Sequence, residues 1–384
     1  MDIHAMNQYD LKEAAALADR VFREPGHSSM ADAFPSIFSG AYHSSLGLYL
    51  DGRLVAFMGL VPHLLRIGKA HVPMLALGSV CTAPEHQGKG YAGLLLDRVF
   101  AHMEASGASL LYVSGAGRLY ARNGCKPFGS TRRYRLHAGM AFMDAVSSTD
   151  EDIQIREGGE SDRFAIHSLY EETAVRYERS LFETGVLMQA EAIAGIYKLE
   201  HRVLVAVRDE RIIAYTVLAV KGRLNTDAVP FLVEGAGDAG AVEQLLLYAL
   251  RTGMAVELDV TVPWQEHALR EVLDRYPHAD GTQSGTIRIV NPERFWRSMA
   301  PYLEEKDPAA LIEVSLQNVL VPSGEEGAVR LKVGRADLTL SQSEWISLLF
   351  DAAWDLPSIS EEQRAVLERL LPIPMPYPSG LNFV

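Results

Sequence analysis

The stretch that decides the fold is Val80-Cys81-Thr82-Ala83-Pro84-Glu85-His86-Gln87-Gly88-Lys89-Gly90-Tyr91-Ala92-Gly93. It follows an apolar run, Met74 to Val80, that reads as a buried strand, and Thr82-Ala83-Pro84 ends that strand. It opens a segment, Lys89 to about Ala105, with Leu94, Leu95, Val99, Phe100 and Met103 at helical spacing. Glycines let the backbone approach a ligand, and the first N–H groups of a helix lack intrahelical partners. A strand, a glycine turn and a helix start therefore make a site for a phosphate or pyrophosphate. A dinucleotide-binding fingerprint would need two glycines earlier and an acidic residue on the next strand, and the residues after Gly93 do not supply it. A P-loop would need Gly-Lys-Ser/Thr, whereas Lys89 is followed by Gly90.

Working outward, the region before the turn reads as α/β. Leu11, Ala14, Ala15, Ala18 and Phe22 mark a helix. Leu46–Leu50 and Leu54–Ile67 flank Asp51-Gly52, a strong hairpin signal. Gly107 closes the helix after the turn, Leu110–Val113 is a short buried strand, and a small helix spans Arg118–Arg122. Residues 146–160 read as a linker. A second unit then repeats the order: a helix over 161–178, a hairpin over 203–220, a strand at 231–234, a helix over 240–252 and a strand at 256–260. Beyond Thr286, Ile287, Ile289, Leu311, Ile312, Val314, Val329, Leu331, Val333, Leu338 and Leu340 read as short strands. Ser341 and Glu344 have capping-box spacing before a helix, and Glu361–Leu371 is a last amphipathic helix. In the tail, prolines at 372, 374, 376 and 378 enforce extended backbone, yet it ends Leu381, Phe383, Val384. Such apolar ends dock, and a docked tail of this kind can deliver its carboxylate to a fixed place.

Composition bounds the class. The 384 residues are 48% hydrophobic and 22% charged, which excludes wholesale disorder. Two cysteines, Cys81 and Cys125, cannot build a disulfide framework or a four-thiolate zinc site. No metal site is expected. The N-terminus has no basic region followed by an apolar one, and no uncharged run reaches the ~18–20 residues of a membrane helix. A cytoplasmic protein without a membrane partner is expected. The net charge of −13 argues against nucleic acid. Residues 1–145 hold 14 Lys/Arg against 11 Asp/Glu, and the remainder holds 22 against 38. The first part can accept a polyanion, and the rest favours a cationic partner.

The pattern Gln87, Gly90, Ala92 resembles the acetyl-CoA signature Gln-x-x-Gly-x-Gly/Ala of the GNAT N-acetyltransferases. Leu119-Tyr120-Ala121-Arg122-Asn123-Gly124-Cys125-Lys126-Pro127-Phe128 resembles the family's Tyr-x-x-x-Gly-Phe/Tyr block, with Cys125 where an aromatic is usual. The layout of the whole chain resembles the Eis-like acetyltransferases. That implies an α/β (α+β) protein with a catalytic GNAT domain over 1–145, a degenerate GNAT-like domain over 146–285, and a sterol-carrier-protein-like domain over 286–384 whose C-terminus threads to the active site. No Gln/Arg-x-x-Gly-x-Gly pattern follows the strand at 231–234, so the second unit should not bind CoA.

The resemblance implies acetyl-CoA as co-substrate and a small-molecule primary amine, aminoglycoside-like or a lysine, as acceptor. Amides near Val80 and Cys81 would hold the thioester and pantetheine. Those of Gln87, Gly88, Lys89, Gly90, Tyr91 and Ala92 would hold the pyrophosphate. Tyr120 would be the general acid and the Val384 carboxylate the base. The strand before the turn carries no carboxylate of its own, which makes a base from elsewhere necessary. A homo-oligomer is implied, with hexamers usual in the family. Cys81 reads as a buried small hydrophobe and not as an acyl-enzyme nucleophile. His63 could face the cleft, and Phe22, Phe34, Phe38 and Trp264 could line an amine pocket. Two other functions stay open: an acyl-CoA or lipid-binding protein without catalysis, and an N-acyltransferase for longer chains.

Overall fold

Tight turns set the frame. Asp51 and Gly52 both take positive φ, 48° and 77°, and Asp209 and Glu210 do the same at 49° and 62°. Paired left-handed residues match the twist of flanking antiparallel strands, so each pair folds a hairpin. The computed structural model describes residues 1–40, 44–139, 152–318 and 328–384. In chain order the strands are β1 Asp2–Ala5, β2 Leu46–Leu50, β3 Arg53–Ile67, β4 Ala70–Thr82, β5 Leu110–Val113 and β6 Ser130–His137. Next come β7 Gln154–Glu157, β8 Val175–Tyr177, β9 Leu199–Arg208, β10 Arg211–Lys221, β11 Phe231–Gly237 and β12 Glu257–Pro263. The last are β13 His278–Thr282, β14 Thr286–Ile289, β15 Val314–Asn318, β16 Ala328–Val333 and β17 Ala336–Ser341.

Three sheets form among the described residues. The first runs β1-β2-β3-β4-β5-β14, with β8 on the far end of β3. The second runs β13-β6-β12-β11-β10-β9-β7, and the third β15-β16-β17. In the first sheet only β4 and β5 are parallel, and the helix Tyr91–Ser106 connects them. Leu95, Leu96, Val99 and Met103 of that helix are fully buried on one face of the sheet. Each such side chain stabilises by about 1.5–3 kcal/mol. The helix Asp10–Phe22 covers the other face with Leu11, Ala14, Leu17 and Ala18. That second core is continuous with the C-terminal unit, through Phe295, Met299, Trp345 and Phe350.

Several local expectations need correction. The expected helix over 161–178 ends at Glu171, and Val175–Tyr177 is β8, hydrogen-bonded along Leu65–Ile67. Leu311 and Ile312 lie in a helix, Pro308–Ile312, and a 15-residue helix, Pro292–Lys306, stands in a stretch read as strands. Leu94 points outward and Leu96 takes its place in the core. Part of the expected linker, 146–151, lies outside the described residues, and Gln154–Glu157 is strand β7. The chain also crosses between sheets: β6 enters the second sheet between β13 and β12, whereas β8 and β14 complete the first. No helix among the described residues is long and apolar enough to cross a membrane.

Candidate active site

The site is built on an irregularity in β4. Gly78 pairs with Gly59 and Cys81 with Phe57, so Ser79 and Val80 together oppose Met58. This is a β-bulge, and Ser79 sits in the left-handed region at φ 51°. Strain of this kind at a non-glycine residue concentrates at functional positions. On the other edge, β4 pairs with β5 only from Met74↔Leu110 to Leu77↔Val113, and Ser114 N–H donates to Leu77 O at 3.2 Å to close the ladder. Past Leu77 the parallel strands part, leaving the bulge at the opening.

The glycine turn follows. Pro84–His86 forms one 3-10 turn, then Gly88 and Gly90 take φ 76° and 80°. Gly90 caps the helix without a side chain, and its carbonyl accepts from Gly93 and Leu94 N–H at 3.0 and 3.3 Å. The first helical N–H groups, at Tyr91 and Ala92, are those an α-helix leaves without internal partners. A Cβ placed on Gly88, Gly90 or Gly93 would meet nothing within 4 Å, so the turn is open on its outer side. Gln87 donates from Nε2 to Thr82 O at 3.4 Å, and Lys89 Nζ lies 3.3 Å from His86 Nδ1. Positive φ, open space and a bare helix start fit a pyrophosphate. The corresponding helix of the second unit, Ala239–Arg251, differs at this point. Asp238 caps it, accepting from Ala241 N–H at 2.8 Å.

Tyr120 lies on the short helix Arg118–Arg122, its ring against the backbone at Gly115 and Gly117. Burial, with Cys125 beside it, pushes its phenol up to about 12, so it is protonated at neutral pH. Burial also raises Cys81 to about 12 and Cys125 to about 11, which leaves both as thiols. His63 packs edge-on against Tyr177 at 5.0 Å, and burial lowers it to about 4. Phe34 is buried, and Phe22 is 43% exposed. Trp264 packs against His267 in the second unit.

The C-terminal tail docks along its whole length. Ile373 N–H donates to Leu349 O at 2.6 Å, and Gln265 Nε2 donates to Met375 O at 2.8 Å. The Ser284 and Ser379 hydroxyls bond each other, and Arg179 Nη1 donates to Asn382 Oδ1 at 3.2 Å. The ring of Phe383 lies 6.2 Å from that of Phe34. Val384 is buried, with its carboxyl group on Gly78 of β4: a Cβ on Gly78 would overlap the carboxyl carbon and lie 2.8 Å from its oxygen. The structure thus brings Val384 to the bulge, with Cys81 in the same core. Val80, Tyr91, Ala92 and Tyr120 pack on the opposite core of the sheet. Gln87, Gly88, Lys89 and Gly90 stand at the exposed turn. Gly78, Ser79 and Arg179 were not singled out in the sequence. A lone glycine inside a strand, as at Gly78, was the available sign of a bulge or a close backbone approach. Two cavities, of about 190 and 680 Å³, flank the tail within the second unit.

Residues 2–128 match the family model described as an acetyltransferase (GNAT) domain. Residues 2–128 are therefore similar to a GNAT acetyltransferase domain. Crystal structures share the fold across the chain. A conserved protein of unknown function from Enterococcus faecalis V583, a probable N-acyltransferase, is 13% identical with TM-score 0.66, over 98% of this chain and 99% of that one. A GCN5-related N-acetyltransferase from Anabaena variabilis is 12% identical with TM-score 0.62, over 90% and 89%. Eis1 from Mycobacterium abscessus is 14% identical with TM-score 0.57, over 89% and 85%. No curated protein sequence matches the chain.

Proposed function

We propose that the protein is an acetyl-CoA-dependent N-acetyltransferase of the Eis-like type, moving an acetyl group to a primary amine by direct attack. The observation that carries this reading is the Val384 carboxyl group lying on Gly78, next to the bulge that leads into the glycine turn. An alkyl ammonium has a pKa near 10.4 and must lose a proton before it can attack. The Val384 carboxylate takes that proton. A strand N–H near Val80 faces the charge that develops on the carbonyl oxygen. Tyr120, protonated at working pH, donates to the departing thiolate. Gln87, Gly88, Lys89, Gly90, Tyr91 and Ala92 hold the pyrophosphate with backbone amides, and acetyl-CoA supplies the activated acetyl group.

The lipid-carrier alternative is disfavoured by a filled interior in the C-terminal unit, where Trp345, Leu349, Phe350, Leu367 and Leu370 are wholly buried. The test is release of CoA thiol from acetyl-CoA with a panel of primary amines, with long-chain acyl-CoA as competitor. Turnover with an amine supports the reading. Tight CoA binding with no turnover on any amine refutes it.

A further inference from the structure

A buried cation holds the tail two residues before its end. Arg179 is only 5% exposed, and its guanidinium lies 3.6 Å from the centre of the Tyr170 ring. Nη2 donates to Glu234 Oε1 at 2.5 Å and Nη1 to Glu234 Oε2 at 2.9 Å, a fork-on-fork pair. The Tyr215 hydroxyl donates to the same Glu234 Oε1 at 2.8 Å. With both carboxylate oxygens engaged, Arg179 Nη1 makes one further bond, to Asn382 Oδ1. A buried ion pair is weak evidence for stability, because desolvating two charges offsets most of their attraction. Its geometry, however, is rigid, and here it presents a fixed donor to the tail.

The slack beyond that donor is small. From Asn382 to Val384 the chain spans at most about 7 Å. Phe383 N–H is tied back to Gly380 O at 3.1 Å, and the end is stopped by the backbone of Gly78. We infer that Arg179, clamped by Glu234 and Tyr215, is a positioning residue for acyl transfer: it grips the Asn382 amide and thereby sets the Val384 carboxylate at the β4 bulge. The inference rests on reading that carboxylate as the base.

Removing Arg179 would strand Glu234 in the interior and threaten folding, so the test uses Asn382 in the full chain. Asn382→Ala removes the acceptor, and Asn382→Asp restores one. A chain with an amidated C-terminus, made by ligation, neutralises the base itself. Asn382→Ala should lower kcat about tenfold, with the KM for acetyl-CoA and Tm unchanged, since small misplacements of a reacting group carry costs of this order. Asn382→Asp should recover most of the rate. On the amidated chain, Asn382→Ala should cost nothing more. If the amidated chain is slow but Asn382→Ala is as fast as the native protein, the clamp is refuted and the base stands. A loss from Asn382→Ala that persists undiminished on the amidated chain also refutes the clamp. An amidated chain that turns over at the native rate refutes the base and the clamp together.

Discussion

Gly78→Ala is the most direct perturbation of the proposed base. Gly78 is a strand residue outside the left-handed region, so alanine costs its own backbone no strain. The new methyl group would overlap the Val384 carboxyl carbon, and would lie 2.8 Å from its oxygen and 3.2 Å from its Cβ. Non-bonded heavy atoms rest at about 3.5–4.0 Å, so the carboxylate must retreat by about 1 Å. Overpacking of this kind costs about 1–3 kcal/mol of stability. The kinetic effect is larger, because a 1 Å misplacement at a reacting centre can cost about 10²-fold. The expected result is a kcat lowered about 10- to 100-fold, with the KM for acetyl-CoA little changed because the glycine turn is untouched. Thiol release followed with a disulfide reagent suits the measurement, since Cys81 and Cys125 are buried and held as thiols. Gly47→Ala is the control. Its Cβ would crowd Tyr49 of β2 and Leu54 of β3 at 2.9 and 3.0 Å, lowering Tm with no contact to the tail. A folded Gly78→Ala protein with native kcat would refute the argument.

Other expectations follow from the same geometry. Tyr120→Phe should lower kcat by about 10²–10⁴ with Tm unchanged. Because burial raises this phenol to about 12, its proton is retained throughout pH 7–10, and the native kcat should not decline across that range through loss of the acid; a Tyr120-dependent decline below pH 10 would contradict the assignment. Cys81→Ala should keep kcat within a few-fold, because a thiol held near 12 is not a nucleophile; abolished turnover in a folded variant would point to an acyl-enzyme. Gly90→Asp places a carboxylate at the helix start, on a left-handed residue at φ 80° where Asp238 of the second unit is extended, so Tm is followed alongside. It should raise the KM for acetyl-CoA at least about tenfold by repelling phosphate from the helix end, and an unchanged KM in initial-rate measurements would move the pyrophosphate elsewhere.

What the sequence made legible was local chemistry. The glycine turn, the Asp51-Gly52 hairpin and the Ser341/Glu344 capping box each act within a few residues, and each formed where its signal lay. The helix Pro292–Lys306 was missed although Asn291 caps it and Pro292 opens it, the same signal that Asp307 and Pro308 give for the next helix. Apolar spacing in that region fits a strand as well as a helix until the caps are weighed. Two kinds of feature left no local trace. The exchange of β6, β8 and β14 between sheets is a choice of partner, and a strand's sequence does not name its partner. The grip of Arg179 on Glu234 and Asn382 joins residues 55 and 203 positions apart, each unremarkable alone.

The two units share a parallel strand pair bridged by a helix, and they differ in what fills the opening between the strands. In the first, the helix start is bare and the turn open. In the second, β11 and β12 pair only at Phe231↔Asp259 before they diverge. There Asp238 occupies the helix start, so a phosphate would meet a carboxylate already using those donors. The divergence leaves a cleft lined by Leu232, Glu234, Thr261 and Val242, and tail residues Pro376, Tyr377, Gly380, Leu381 and Asn382 line the same cleft. Leu381 is buried in the core on that face. An extended, proline-rich segment suits such a slot because it needs no internal hydrogen bonds and loses little entropy on docking. The tail lies in this slot of the second unit on its way to β4.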